Sequence, residues 1–329
     1  MKPELVLSLR WRSFAFGLVQ PLKTAGAHLQ RQRGWLVQLQ APDGASGWGD
    51  ITPPPASWQQ CQQILHQLSG DPIHRAAQLE GLLPQLPKPI AFGLGLALAE
   101  LAGLGNWQQA PASAWLLPAG PAAIAAMELA LRQPQSADAI SVKWKVGSFS
   151  NQIELTLLDK LLELLPTTGR LRLDANGGWD RPTADSWVER LRHEPRLEWL
   201  EQPLAPQDHE GLTHLAKKLP IALDESLRDA AGVPPNWRGW RVHKPALEGD
   251  PRPLLQALKD GTPNLMVSTA FGTGISNRLL AHLAALQFAG PTPCAPGLAP
   301  GWGPLAELAS FDPQTVWNSA QASLVGSEP

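Results

Sequence analysis

The first part of the chain shows short alternating runs followed by longer helical ones. Apolar side chains alternate with mostly polar neighbours over residues 5–11, the pattern of a half-buried strand. Two further short runs, 35–40 and 47–50, complete a small antiparallel sheet with it. Three segments bounded by proline or glycine then have the spacing of helices: 58–69, 72–84 and 91–105. This order predicts an α+β domain over residues 1–110.

From about residue 113 the pattern changes to short apolar strands that alternate with longer helical segments. The strand candidates are residues 114–117, 139–146, 171–174, 197–201, 221–224, 239–243 and 264–268, with a weaker eighth at 287–290 or just after it. The helical segments between them are 151–165, 183–193, 208–219, 251–260 and 274–287.

Strands that alternate with helices form a parallel sheet, and seven or eight such units in about 200 residues favour a (β/α) barrel over a doubly wound sheet. No glycine-rich phosphate loop follows the first strand, which removes the main support for a dinucleotide-binding fold. We therefore predict an α/β protein in which residues 111–329 form a (β/α) barrel capped by the N-terminal α+β domain.

Charged side chains stand at the ends of five consecutive predicted strands. They are Lys143, Lys145, Asp174, Glu201, Asp224 and Lys244. From Lys145 onwards, successive members lie 20 to 29 residues apart, about the length of one βα unit. In a barrel these strand ends meet at the C-terminal mouth, where barrel enzymes place their chemistry. The spacing therefore brings six distant side chains to one predicted site.

The three carboxylates of this set would lie on adjacent strands and would repel one another unless a cation neutralised them. All-oxygen ligation favours Mg²⁺, with Mn²⁺ as the alternative, over Zn²⁺. Asp174, Glu201 and Asp224 are therefore the predicted metal ligands. Lys143 and Lys145 are two residues apart on one strand and share a face. A lysine near a like charge and a divalent cation has a lowered pKa, which suits a base near neutral pH.

Composition and charge narrow the class of protein. The formal net charge of −2 gives no basic surface for nucleic acid. The two cysteines, Cys61 and Cys294, are too few for a disulfide framework or a cysteine zinc site and indicate a reducing compartment. Charges within the first 14 residues rule out a signal-peptide core there, and three prolines interrupt the uncharged segment 101–127, so no membrane span is expected. We expect a cytoplasmic protein, monomer or homo-oligomer, that acts on a small-molecule carboxylate.

Five motifs around the charged residues are similar to those of the enolase superfamily, in its muconate-lactonizing subgroup. They are VKWKVG (142–147), LRLDANGGW (171–179), WLEQPL (199–204), ALDES (222–226) and VHKPALEG (242–249). Within that subgroup, SGWGDITPPP (46–55) and AFGLGLALAEL (91–101) most resemble the o-succinylbenzoate synthase family. The resemblance implies an enolase-type barrel in which a cap loop at 22–33 closes the site and a C-terminal tail returns to the cap.

The resemblance also implies a reaction. It is the Mg²⁺-dependent syn dehydration of 2-succinyl-6-hydroxy-2,4-cyclohexadiene-1-carboxylate to 2-succinylbenzoate, a step of menaquinone and phylloquinone biosynthesis. Asp174, Glu201 and Asp224 match the family's metal ligands, and Lys145 matches the base that removes the proton α to the carboxylate. Lys244 matches the residue that supplies positive charge over the opposite face of the substrate.

Supporting residues follow from the same resemblance. Lys143 would tune Lys145 and touch the substrate carboxylate, while Asn176, Glu225 and Arg172 would orient the metal ligands. The substrate-binding candidates lie in the seventh-strand turn and near the eighth strand: Ser268, Thr269, Phe271, Gly272 and Gly297. That turn is not the run of serines typical of the family. Asp50, at the end of the third cap strand, is expected to stabilise a turn.

Three alternatives to the dehydratase stay open at this point. An N-acylamino acid racemase or dipeptide epimerase would use the same metal and both lysines as opposed acid and base. A barrel without catalysis would be expected to lack one of the charged residues, and all are present. A lysine Schiff-base enzyme would not need three convergent carboxylates.

Overall fold

The structure is a computed structural model that describes residues 5–23, 28–70, 73–133 and 140–320. The N-terminal part forms a four-stranded antiparallel sheet with strand order β3-β2-β1-β4. Its strands are β1 (Val6–Lys23), β2 (His28–Gln40), β3 (Ser46–Ile51) and β4 (Ile73–Arg75). Three helices accompany the sheet: α1 (Trp58–Gly70), α2 (Ala76–Leu82) and α3 (Lys88–Leu101).

Two expectations for the cap were wrong in detail. The first strand does not end at residue 11 but continues to Lys23, because β2 pairs with it along a long hairpin from Gln40 to His28. The helix predicted over 72–84 begins only at Ala76, because Ile73 to Arg75 extend the sheet as the edge strand β4. Within the predicted cap loop 22–33, residues 24–27 lie outside the described residues, and the rest belongs to this hairpin.

The second part of the chain is a seven-stranded parallel sheet whose strands follow one another in sequence order. The strands are β5 (Trp115–Leu117), β6 (Ser141–Lys145), β7 (Arg170–Asp174), β8 (Leu197–Glu201), β9 (Ile221–Leu223), β10 (Trp240–His243) and β11 (Leu265–Val267). The helices are α4 (Ala122–Leu131), α5 (Asn151–Leu164), α6 (Arg181–Leu191), α7 (His209–Leu215), α8 (Pro245–Glu248), α9 (Arg252–Lys259), α10 (Gly274–Ala289) and α11 (Pro313–Ser319). Helix α4 was missed by the sequence pattern because its surface is apolar nearly all round.

The eighth barrel position is filled by a segment that is not a regular strand. Of the two places expected for this strand, 287–290 is wrong, since α10 runs to Ala289, and the segment just after it takes the position. Gly297 instead donates its N–H to Val267 O at 2.8 Å, and Ala114 N–H donates to Pro296 O at 2.9 Å. Prolines at 291, 293 and 296 remove the backbone donors of a regular ladder. Residues 296–297 therefore connect β11 with the chain just before β5 and close the sheet.

The cap and the barrel share an apolar core. Trp48 on β3 and Phe92 on α3 belong to one buried cluster with Leu279 of α10 and Trp317 of α11. The Trp48 and Trp317 rings meet edge to face at 5.5 Å, and Arg12 of β1 donates to Trp317 O at 2.9 Å. No helix within the described ranges is long and apolar enough to cross a membrane.

A buried ion pair also joins the two parts. Glu100 of α3 accepts from Arg278 Nη2 of α10 at 2.5 Å and from Trp48 N at 3.0 Å. Burial raises the pKa of Glu100 to about 7, although the charge of Arg278 opposes the rise. The folded protein therefore binds more protons at this carboxyl than the unfolded chain does between about pH 4.5 and pH 7.

We therefore expect Glu100 to make the free energy of unfolding fall as the pH rises from 4.5 to about 7. Glu100→Gln keeps an acceptor for Arg278 and Trp48 but does not titrate, so its stability should fall less over the same range. The difference in slope should be of the order of 1 kcal/mol per pH unit. Urea unfolding at several pH values measures it, with the exposed Glu163→Gln as control. Parallel pH profiles for wild type and Glu100→Gln would contradict the expectation.

Candidate active site

The barrel brings the predicted charged residues together at the carboxyl ends of its strands. Lys145 ends β6, Asp174 ends β7 and Glu201 ends β8, and the register places these three side by side. Asp224 follows β9 directly and Lys244 follows β10. The three carboxylate residues are completely buried. The predicted convergence of these residues is thus seen in the structure.

Ammonium groups lie between the carboxylates. Lys143 Nζ is 2.9 Å from Asp174 Oδ2 and 2.6 Å from Glu201 Oε1, so it connects two neighbouring strands. Lys145 Nζ is 2.9 Å from the same Asp174 Oδ2 and donates to Asn176 Oδ1 at 3.0 Å. Residues 143 and 145 are two apart on β6, so both side chains lie on the same face of the strand and point into the barrel mouth.

Asp224 is held between two cations from the other side of the site. Lys244 Nζ donates to Asp224 Oδ2 at 2.5 Å, and Arg228 Nη1 donates to Asp224 Oδ1. Arg228 was not predicted from the sequence. The signal that could have found it is its place four residues after Asp224, one turn further along the short 3₁₀ helix Glu225–Leu227 that follows the carboxylate.

The charged groups of the site shift one another's pKa values. Burial alone would raise the pKa of Asp174, but Lys143 and Lys145 hold it well below its ordinary value. The pKa of Asp224 is likewise lowered by Lys244 and Arg228 against the effect of burial. Burial and the neighbouring Asp174 raise the pKa of Glu201. The three carboxyl groups of the site therefore differ in their affinity for a proton.

Carboxylates raise the pKa values of two lysines of the site, Lys143 and Lys244. Burial favours the neutral amine of Lys143, but Asp174, Glu201 and Asp224 outweigh it and raise the pKa. Asp224 raises the pKa of Lys244 in the same way. The lowered lysine pKa was expected beside a bound divalent cation, and that expectation stays a prediction.

Two of the three predicted supporting residues reach the site. Asn176, with a left-handed φ of 48°, donates its backbone N–H to Asp174 Oδ1 at 3.0 Å and its side-chain amide to Glu225 Oε1 at 3.2 Å. Burial and the nearby Asp224 raise the pKa of Glu225 to about 7. Gln202, which was not predicted, accepts from the backbone N–H of Asp224 at 3.0 Å and so fixes the turn after β9.

The predicted role of Arg172 in orienting the metal ligands is not supported by its contacts. Its guanidinium donates from Nε to Glu198 Oε2 at 2.6 Å and lies 4.1 Å from the centre of the Trp199 ring. It is fully buried within the barrel, two residues before Asp174 and therefore one layer below it. No hydrogen bond or ion pair to the three carboxylates is seen in the described part of the chain. Its guanidinium therefore contacts residues of the barrel interior and does not orient those carboxylates.

A small cavity lies over the lysines. Four of the five predicted substrate-binding residues line it, namely Ser268, Thr269, Phe271 and Gly297. Leu22 of the cap hairpin, Leu116 of β5 and Ala299 also line it and were not predicted. The free volume is about 50 Å³, and Lys143, Lys145 and Lys244 line it as well. Small-molecule sites usually measure about 300 Å³ or more, so the cavity must widen to admit a substrate.

Gly272, the fifth predicted substrate-binding residue, does not line this cavity. A Cβ atom at Gly272 would lie 2.1 Å from Ser276 Oγ and 2.8 Å from Asp50 Oδ2. The residue therefore faces the cap rather than the lysines, and glycine is needed there for close packing. It lines an adjoining cavity with Thr269, Phe271 and Ala299, and its role in substrate binding stays a prediction.

The donor chemistry of the site fits a hard divalent cation. Asp174, Glu201 and Asp224 offer only oxygen atoms, and the buried Glu225 Oε2 beside them has no hydrogen-bond partner among the described residues. Within the described ranges, no three acidic, histidine or cysteine side chains are spaced closely enough to form a metal cluster as they stand. The ammonium group of Lys143 lies between two of the carboxylates and bridges Asp174 and Glu201. Displacing Lys143 from that bridge would free both carboxylates for a metal ion.

Known proteins that are similar to this chain indicate the family in which such a site occurs. Residues 126–236 match the family model described as enolase C-terminal domain-like, a stretch that contains Lys145, Asp174, Glu201 and Asp224. The o-succinylbenzoate synthase of Thermosynechococcus vestitus is 33% identical over 292 residues, which cover 83% of this chain and 87% of that protein.

Solved structures extend the likeness. The o-succinylbenzoate synthase of Thermosynechococcus elongatus BP-1, complexed with Mg in its active site, matches with a TM-score of 0.76 at 30% identity, covering 94% of this chain and 99% of that one. The L-Ala-D/L-Glu epimerase of Bacillus subtilis matches with a TM-score of 0.72 at 19% identity over 91% of each chain, which shows a shared fold. The chain therefore belongs to the enolase superfamily and, within it, to the o-succinylbenzoate synthase family of hydro-lyases.

Proposed function

We propose that this protein catalyses the syn dehydration of 2-succinyl-6-hydroxy-2,4-cyclohexadiene-1-carboxylate to 2-succinylbenzoate with Mg²⁺ as cofactor. The observation that supports this most is the convergence of three buried carboxylates with lysines from two different strands. The full-length likeness to o-succinylbenzoate synthases supports the choice of substrate. The two cysteines are buried and unpaired, in keeping with work in the cytoplasm for menaquinone or phylloquinone biosynthesis.

Lys145 acts as the base in this proposal. Its neutral amine removes the proton α to the substrate carboxylate, and the electron pair of that C–H bond becomes a ring double bond as the C–O bond breaks. Lys145 then returns the proton to the departing hydroxyl on the same face, so that water leaves and the ring becomes aromatic. Asn176 orients the amine through its 3.0 Å hydrogen bond.

The other side chains of the site stabilise the charge that develops on the substrate during the reaction. Mg²⁺, when bound by Asp174, Glu201 and Asp224, would supply the positive charge that stabilises the carboxylate of the substrate as its α-proton leaves. Lys244 offers its ammonium from the end of β10, on the far side of the site from Lys145 on β6. A divalent cation and a doubly anionic substrate carry equal and opposite charge, so they can enter together without adding net charge to the buried site.

A second candidate is racemisation or epimerisation of an N-acylamino acid or dipeptide. The observation in its favour is the placement of Lys145 and Lys244 on strands that are not neighbours, since such an enzyme needs an acid and a base on opposite faces of one carbon. Both reactions begin with removal of an α-proton. Deuterium exchange from solvent into N-acylamino acids and dipeptides would identify this activity.

The proposed function is tested by following the absorbance of the cyclohexadiene substrate with purified protein and Mg²⁺. Rapid loss of absorbance, as the ring becomes aromatic, is expected, with 2-succinylbenzoate as the product by mass spectrometry. No loss of absorbance by a protein that binds Mg²⁺ would rule out the dehydratase and favour the second candidate.

Chelation gives a further expected outcome. EDTA should remove at least 99% of the activity, about two orders of magnitude, because buried charge can no longer be stabilised, and Mg²⁺ or Mn²⁺ should restore it. The measurement is the initial rate before chelation, after chelation and after re-addition of each metal, with Ca²⁺ as a control for ion size. An enzyme that keeps its rate in EDTA would contradict the metal role and point to a lysine Schiff base instead.

A further inference from the structure

The turn after β11 forms one wall of the cavity and is itself held by the cap. Ser268, Thr269 and Phe271 of this turn line the cavity. Phe271 has a left-handed φ of 61°, which is uncommon for a large side chain. Its N–H donates to Thr269 Oγ1 at 2.8 Å. A conformation of this kind persists only where the surroundings enforce it.

One enforcing contact comes from Asp50 on β3. Asp50 is completely buried, and its Oδ2 accepts from Thr273 N at 2.7 Å, Thr273 Oγ1 at 2.8 Å and Ser276 Oγ at 2.9 Å. These donors follow the turn directly and begin α10, which starts at Gly274. A carboxylate at the N-terminus of this 16-residue helix is also favoured by the helix dipole. Asp50 therefore fixes the C-terminal end of the turn.

A second contact comes from the cap hairpin. Gln32 on β2 donates from Nε2 to Ala270 O at 2.9 Å, in the middle of the turn. The packing is close as well, since a Cβ at Gly272 would lie 2.8 Å from Asp50 Oδ2. Gln32 on β2 and Asp50 on β3 therefore hold the turn by hydrogen bonds, at its centre and at its end.

From this geometry we infer that Asp50 and Gln32 are positioning residues that set the substrate-binding wall formed by Thr269 and Phe271. The inference rests on the proposed function, because it assigns that wall to the cyclohexadiene substrate. Neither residue touches the lysines or the three carboxylates in the described structure. Their effect should therefore fall on substrate affinity, while metal binding and the proton transfer by Lys145 are preserved.

The test compares four variants. Gln32→Ala removes one neutral hydrogen bond and should raise KM about fivefold with kcat changed by less than about threefold. Gln30→Ala is the matched control, an exposed glutamine two residues earlier on the same strand, and should leave KM unchanged. Asp50→Ala removes the acceptor for three donors and should raise KM about tenfold or more. Asp50→Asn keeps one acceptor oxygen and should restore most of the loss.

The Mg²⁺ dissociation constant, measured by calorimetry, should stay within about twofold of wild type in every variant, since the ligands lie on other strands. Equal KM values for Gln32→Ala and Gln30→Ala would overturn the inference, as would a loss confined to kcat. Should Asp50→Ala not fold, the two glutamine variants decide alone.

Hydrogen exchange separates this inference from the proposed function. The amides of 269–273 should exchange faster in Gln32→Ala than in Gln30→Ala, because the turn loses its central hydrogen bond. If wild type does not act on the cyclohexadiene, the proposed function fails, and this comparison still decides whether the cap holds the turn. Identical exchange in both variants would show that it does not.

Discussion

Replacing Lys145 by alanine is expected to lower kcat for the dehydration by about 10³-fold or more, the usual worth of a positioned general base. The amine of Lys145 contacts both Asp174 and Asn176, whereas the neighbouring Lys143 contacts Asp174 and Glu201. The loss should appear equally in kcat and in kcat/KM, because the proton transfer occurs only in the transition state.

The fold should survive this change. Asp174 keeps its 2.9 Å ion pair with Lys143 and the N–H of Asn176, so the buried carboxylate is not left without a partner. The melting temperature and the Mg²⁺ dissociation constant should therefore stay close to wild type. Lys160→Ala, on the exposed side of α5, is the matched control and should be fully active. A Lys145→Ala protein that keeps its rate would exclude the mechanism while leaving the family unchanged.

The charged residues of the site could be predicted because each stands at the end of a strand. Short apolar runs identify the strands, and barrel geometry alone brings the ends of β6 to β10 to one mouth. The role that the family resemblance implied for Arg172 was wrong, because a motif gives the place of a side chain on its strand but not its partner. Glu198 and Trp199 on the next strand took its guanidinium instead.

Contacts between the cap and the barrel could not be predicted. Asp50 and Thr273 are separated by 223 residues, and no local pattern links a carboxylate on β3 with the start of α10. Asp50 was expected to stabilise a turn, and it does so for a turn of the barrel rather than of the cap. The eighth strand position could be predicted only weakly, because prolines leave Gly297 with only isolated hydrogen bonds. The division of the chain at residue 110 stays a prediction.

Replacing Lys244 by alanine is expected to lower kcat by about 10²- to 10³-fold, the usual cost of removing one group that stabilises developing charge. Asp224 keeps its ion pair with Arg228, so the buried carboxylate remains paired and the fold should hold. Lys217→Ala, exposed at the end of α7, serves as the control and should match wild type. Full activity in Lys244→Ala would show that charge on this side of the site is not needed.

Lys244→Arg decides between the two candidate reactions. An arginine keeps the positive charge but cannot give up its proton at neutral pH. If Lys244 supplies only charge, as in the dehydration, Lys244→Arg should be about tenfold more active than Lys244→Ala, a difference of about 1.4 kcal/mol in the barrier. If Lys244 exchanges a proton, as an epimerase requires, both variants should be equally inactive in epimerisation, and solvent deuterium should then enter only the isomer whose α-proton faces Lys145. The rates of both variants with both substrate classes therefore assign the role of this lysine.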